Sequence, residues 1–328
     1  MKQLSFLFIF ILFLSGCGSK QYFEPENVDG DYPFSSTDLQ YNIIDYNADG
    51  ATLEDFKYLS KDGITDIVIK DGYKFLNNNN GIILAANDNS TLLVKEKNTI
   101  KKYKFEKNVI SASIKGDLIA LSLIDNSIIL FNKKTKQKYF KEYLTQSFVN
   151  DIKIANPIFL DSVVLYPTLD GKVIVVDIAK KTTIKTMNID PKGNINNIIF
   201  LSSIDDALIA ATPTKLFSFV NGGVNVKDIN VRNIIINEKN IILTTLEGKI
   251  IKFDKELKEL NSIKFKFAKF VALGTGSYIY ALEENDYLIR LDSDLKTFQI
   301  FDFSFDQSKK VIMIGDKLYY GDQSITLE

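Results

Sequence analysis

A single phrase recurs along this 328-residue chain and constrains its fold more than any other feature: a short apolar strand, a tight polar turn, then a second apolar strand. It is clearest at Asp170-Gly171-Lys172-Val173-Ile174-Val175-Val176-Asp177 and at Glu247-Gly248-Lys249-Ile250-Ile251-Lys252-Phe253-Asp254. Weaker copies begin at Asp88, Asp125 and Asn285, and degenerate ones at Pro213 and Asp322. Successive starts are 37, 45, 43, 34, 38 and 37 residues apart, a spacing characteristic of stacked supersecondary units.

One such hairpin cannot bury both faces of its sheet, so each copy needs neighbours stacked against it. The runs 81–86, 117–124, 162–169, 207–212, 240–246 and 277–282 precede the turns and are rich in Ile, Val and Leu, which fits strands. Each period holds two weaker segments besides, giving the four-stranded meander of a propeller blade. The expected fold is all-β: a β-propeller of four-stranded blades, with seven blades preferred and eight as the alternative. The chain ends soon after Asp322, so an N-terminal strand from 41–53 is expected to close the ring and abolish free edges. The asparagine run 77–80 reads as a loop, and 138–148 as a helical turn or irregular loop.

The N-terminus carries an apolar run over 4–14 after Lys2, shorter than a bilayer-spanning helix and patterned like an export signal. It ends in Leu14-Ser15-Gly16-Cys17, which resembles a bacterial lipobox. That resemblance implies diacylglycerol on Cys17, the only cysteine in the chain, after cleavage of residues 1–16. Gly18 follows it, where an inner-membrane retention signal of the enterobacterial type would place Asp, so the outer membrane is expected. Residues 17–38 are polar and turn-rich and read as a flexible lipid-anchored tether, with a single propeller domain over 39–328.

The composition removes several function classes. Forty basic side chains face 41 acidic ones with no evident concentration of either, so no nucleic-acid footprint is expected. Histidine is absent, which excludes Ser-His-Asp and Cys-His constellations and histidine metal sites. Asp88, Asp125, Asp170 and Glu247 occupy turns, where a side-chain oxygen caps its own backbone. Asp177, Asp254, Asn132 and Asp292 close the second strand in the same manner. Asp45, Asn47 and Asp49 before Gly50 faintly resemble a calcium loop but lack its later glutamate. No catalytic residue, metal or cofactor is assigned.

A lipobox, a polar segment and then repeats such as Asp170 to Asp177 together resemble the BamB-like outer-membrane assembly lipoproteins and, more broadly, the quinoprotein-like propellers with PQQ-like repeats. Asp49-Gly50-Ala51-Thr52-Leu53-Glu54 and Lys61-Asp62-Gly63-Ile64 look like the divergent members in Campylobacter and Helicobacter relatives. The resemblance implies a non-catalytic scaffold, monomeric within a hetero-complex, facing the periplasm, whose partners are a barrel-assembly outer-membrane protein or nascent outer-membrane proteins. The chain departs from the quinoprotein pattern in having no tryptophan to dock one blade on the next, leaving 24 Phe and 15 Tyr as fillers. The long intervals beginning at Asp125 and Asp170 suggest insertions, and Tyr139, Phe140, Lys141, Tyr143 and Phe148 read equally as a partner loop or, for the aromatics, as fillers of a blade core. The alternative function is a surface or periplasmic propeller that binds glycan or host matrix.

Overall fold

A computed structural model describes residues 21–65, 68–70, 72–145, 153–193 and 195–327. Strands alone build it: eight antiparallel four-stranded sheets follow one another around a ring, and no sheet closes on itself. In seven of them the strands run in chain order from the inner edge to the rim. Blade one spans Ile43 to Ile64, blade two Lys74 to Lys104, blade three Val109 to Tyr143 and blade four Ile158 to Asn188. Blades five, six and seven cover Phe200 to Asp228, Val231 to Lys264 and Phe270 to Asp302. The eighth sheet has Val311–Ile314 innermost, then Lys317–Tyr320, Gln323–Thr326 and finally the N-terminal strand Ser36–Asp38.

The expectation of seven blades zipped by 41–53 is therefore corrected to eight. Ile43–Asn47 and Gly50–Leu53 are the first two strands of a blade of their own. The seven repeat phrases are the turns between second and third strands of blades two to eight. Blade one makes that turn at 54–57, where Phe56 takes the positive φ that Gly171 or the polar Ser90, Asn126 and Asp286 take in other copies, so no phrase marks it. Asp49 and Gly50 form the preceding hairpin. Gly50 is there because a Cβ would lie 2.1 Å from the Leu59 carbonyl and 2.5 Å from the Phe75 ring.

The first described residues also differ from a free tether. Phe23 is buried edge-on against Phe265 and Tyr287, and Tyr32 against Tyr280 and Phe301. Asp29 and Tyr32 donate backbone hydrogen bonds to Ile300 and Asp302 on the rim strand of blade seven. Two further loop expectations fail for one reason, that side-chain polarity does not report which edge of a sheet a residue occupies. Asn77 to Asn79 belong to the inner strand Lys74–Asn79, and 137–143 form the outer strand Gln137–Tyr143.

Eight apolar clusters fill the eight blade interfaces among the described residues, including the junction of the first blade with the last, where Leu39, Ile43, Leu53 and Leu59 meet Ile312 and Tyr319. Each blade is thus buried on both faces, as stacking requires. Tyrosines take the place of the absent tryptophan. Tyr166 of blade four is wholly buried and donates its hydroxyl to the Ile129 carbonyl of blade three at 3.0 Å, and Tyr58 donates to the Tyr73 carbonyl at 3.2 Å. Burying a ring of this size contributes roughly 2 kcal/mol only because its hydroxyl finds an acceptor.

Candidate functional site

The inner strand of every blade leaves one edge unpaired toward the axis, and exposed backbone edges need partners. Asparagines supply many of them. The Asn77 amide donates to the Ala112 carbonyl at 3.0 Å and to Ser113 Oγ at 2.8 Å, while Asn79 Oδ1 accepts from the Ile114 N–H at 2.9 Å. Asn47 donates to the Phe75 and Leu76 carbonyls, and Asn233 to that of Phe270. Asn47 Oδ1 also accepts from the Asp49 and Gly50 N–H groups, so this stretch is a turn device.

The segment 153–157, at the end of the long interval, crosses the axis. Ala155 N–H bonds the Ile198 carbonyl of the segment entering blade five. Asn156 reaches three other blades: it donates to Asp49 Oδ2 at 2.7 Å and to the Leu76 carbonyl at 2.9 Å, and accepts from the Ala112 N–H at 3.0 Å. Above this plug lies a cavity of about 640 Å³ lined by the starts of the inner strands. Its walls alternate apolar Ile110, Ile199, Leu273 and Met313 with charged Asp45, Lys74, Lys153 and Arg232. Burial raises the Asp45 pKa against the opposing pull of Lys74 and Lys310, and burial likewise raises Asp49 despite the Asn156 hydrogen bond. Exposed Tyr46 also lines the cavity.

A second depression, about 840 Å³, lies between blades five and six and is lined by Asp190, Lys192, Thr214, Lys215, Asp228 and Lys249. Three of its charged groups, Asp190, Lys215 and Asp228, are engaged with one another or with neighbouring hydroxyls. Lys215 is ion-paired with Asp228, and Asp190 Oδ2 accepts from Thr214 Oγ1 at 2.8 Å. No cluster of three metal-ligating side chains occurs among the described residues.

Asp125, Asp177 and Asp254 cap backbone as their spacing predicts, whereas Glu247 is held by the Asn230 side chain and the turn at Asp88 is capped by Asn87. Asp125 accepts from the Ser127 N–H, Asp177 from Lys180, and Asp254 from Glu256 and Lys258. Burial pushes the Asp170 carboxyl up, but hydrogen bonds from Lys172, Asn126 and Thr168 outweigh it and hold its pKa below the ordinary value. Tyr139, Phe140, Lys141 and Tyr143 lie on the rim strand of blade three, Phe148 and Cys17 fall outside the described residues. Tyr139 and Phe140 rest half-buried on the cluster shared with blade four, the core-filling role that also fits their spacing. Tyr143 is 71% exposed, with the Lys141 ammonium 4.3 Å from its ring centroid. Sequence reasoning missed the axial asparagines and the 153–157 plug. The signal for them was asparagine recurring in or beside inner strands, at Asn47, Asn77, Asn79, Asn156 and Asn233.

No protein-family model matches the chain. It is 27% identical over 349 aligned positions to the plasminogen-binding protein PgbB of Helicobacter pylori, covering 92% of this chain and 64% of PgbB, and a second strain's PgbB gives the same identity over 350 positions. The chain therefore spans about 64% of the length of these curated relatives. Among solved structures, BamB from Moraxella catarrhalis superposes with a TM-score of 0.66 at 14% identity, covering 90% of this chain and all of that one. The C-terminal WD40 domain of Sif2 gives 0.66 at 13% identity, covering 92% of this chain and 99% of its own. Likeness at such identities shows the propeller fold and nothing further.

Proposed function

We propose that this chain is a non-catalytic protein-binding propeller, held through lipid on Cys17 at the periplasmic side of the outer membrane, where it serves as a scaffold in the assembly of β-barrel proteins. The observation that carries the binding role is the architecture of the axis. Asparagine amides tie the inner strands of blades one, two and three to one another and blade six to blade seven around a mixed apolar and charged mouth, while Asp125, Asp177 and Asp254 are engaged as backbone caps. Such a disc holds contact groups at fixed positions, which lowers the ordering cost of docking a partner. Crosslinking in intact cells followed by identification of the partner tests it. Recovery of a barrel-assembly subunit or unfolded outer-membrane proteins is expected, and a deletion strain with normal barrel-protein levels and no crosslinked partner would sink it. Labelling with a lipid analogue, lost in Cys17→Ala, tests the anchor.

A second reading is favoured by the 27% identity to PgbB across nearly the whole chain: capture of a host protein at the cell surface, plasminogen in particular. The aligned region covers 64% of PgbB, and this reading assigns the binding to the propeller that the two share. Binding of the full chain to immobilised plasminogen separates the two readings, as does protease accessibility on whole cells.

A further inference from the structure

The near-zero net charge conceals a segregation that the ring makes spatial. Residues 74–145, which make up blades two and three, hold thirteen lysines against six carboxylates. Residues 21–65 hold two lysines against ten carboxylates, and residues 270–327 five basic side chains against nine. The sequence expectation that neither sign is concentrated is therefore corrected. The acidic excess lies on blades seven, eight and one and the basic excess on the adjoining blades two and three, blade seven standing opposite blade three, so the disc has a basic flank and an acidic one.

On the basic flank nine of the thirteen lysines are borne by the rim strand of blade two, Thr99–Lys104, that of blade three, Gln137–Tyr143, and the turns that lead into them. Lys97, Lys101 and Lys134 are exposed. Glu106 is shared by Lys138 and Lys141, so one carboxylate serves two cations. Apolar groups sit among them. Ile100 and Tyr143 are exposed on these strands, Ile184 on the rim of blade four, and the Lys181 ammonium lies 4.2 Å from the Tyr139 ring centroid. Tyrosine and aliphatic surface interleaved with cations matches the composition of protein interfaces.

We infer that the lysine-rich flank of blades two and three is a docking surface for an acidic, extended segment of a partner protein. The inference rests on the protein-binding reading above and specifies its partner's chemistry. Shape favours a polypeptide over a lipid surface. Successive blades of an eight-bladed ring are rotated by about 45°, so the flank is convex and a planar bilayer meets one rim strand at a time, whereas an extended chain follows the curve. Long-range attraction of this kind governs encounter and is sensitive to salt.

The test measures binding of the full chain to a fluorescent peptide rich in glutamate and tyrosine, with a lysine-rich peptide as control. Saturable binding to the acidic peptide alone is expected, weakening about tenfold or more when salt is raised from low to several times physiological strength. Lys97→Glu/Lys101→Glu/Lys134→Glu should weaken it at least about tenfold, and the Lys→Gln triple variant by less, with unchanged thermal unfolding in both. Unaltered binding in both variants overturns the proposal. So does equal binding to vesicles of phosphatidylcholine and phosphatidylglycerol or to a short DNA duplex, or salt-sensitive self-association of the chain through this flank. If the triple variant still captures the parent's crosslinked partner in cells, this inference fails while the protein-binding reading stands. If neither captures any partner, the reading itself fails.

Discussion

Asn156 donates its side-chain amide to Asp49 Oδ2 at 2.7 Å across 107 residues of chain, joining the segment that enters blade four to the hairpin of blade one over the axis of the ring. The same side chain satisfies the Ala112 N–H of blade three and the Leu76 carbonyl of blade two. One amide therefore serves four blades, and all three of its bonds depend on the ring being closed.

Asn156→Ala is expected to destabilise the protein by about 1–3 kcal/mol, since it strips partners from inner-edge backbone groups with limited access to water. Urea unfolding measures this. A double-mutant cycle with Asp49→Asn should show coupling of about 1 kcal/mol, because the two groups are in direct contact. Full additivity would show that the bond contributes nothing.

Asn77→Ala should cost a similar amount, about 1–3 kcal/mol, with the loss local to the junction of blades two and three. Its amide is the donor to the Ala112 carbonyl and to Ser113 Oγ. Asn77→Asp should be worse than alanine, since a carboxylate there would face a carbonyl with no proton to give. Amide hydrogen exchange on Val109–Lys115 reports the change, with faster exchange expected there than in blade six.

Gly171→Ala tests the repeat glycine. Its φ is +75°, and an added Cβ would lie 2.4 Å from the Asp190 carbonyl oxygen, so both backbone strain and a steric clash oppose it. Gly222→Ala is the control, with φ +79° and open space around the added atom. The control should lose about 1 kcal/mol and Gly171→Ala at least about 3 kcal/mol, read from the shift in thermal midpoint.

Asp292 sets a pH dependence. Burial alone would raise its pKa, but hydrogen bonds from Thr297 and from the N–H groups of Asp294 and Lys296 bring it down to about 2. A carboxyl depressed in the folded state stabilises above its unfolded value near 3.8 and loses that contribution as pH falls through about 2. Asp292→Ala should therefore cost about 1 kcal/mol at neutral pH, a modest figure because the turn is solvent-exposed. The difference from the parent should shrink below pH 4 and vanish near pH 2. A difference that is constant across that range would assign the effect to side-chain packing.

Strand identity, turn positions and the capping role of turn carboxylates were legible because each depends on a few neighbouring residues. The Asp170 and Glu247 phrases are local chemistry: a strand, a residue with positive φ, a second strand. Blade one was legible only as the alternative count of eight, because its turn at 54–57 puts Phe56 at φ +65° where other copies use glycine or a polar Ser90, Asn126 or Asp286, and so carries no repeat signature. The axial role of Asn77 to Asn79 was hidden for a different reason. Asparagine is a turn former by propensity, and only an unpaired neighbouring strand edge makes it a favourable strand residue.

The amino-acid sequence alone determined that this protein is built of repeated β-meanders, has no histidine-based chemistry and carries a single cysteine in a lipobox-like setting, since period and composition are properties of the linear chain. The tertiary structure decided the number of blades, the use of Ser36–Asp38 as the outermost strand of the eighth sheet, the amide lock across the axis and the separation of basic from acidic flank. Those depend on ring closure, which brings residues more than a hundred positions apart into contact and sorts charges by angle around the axis.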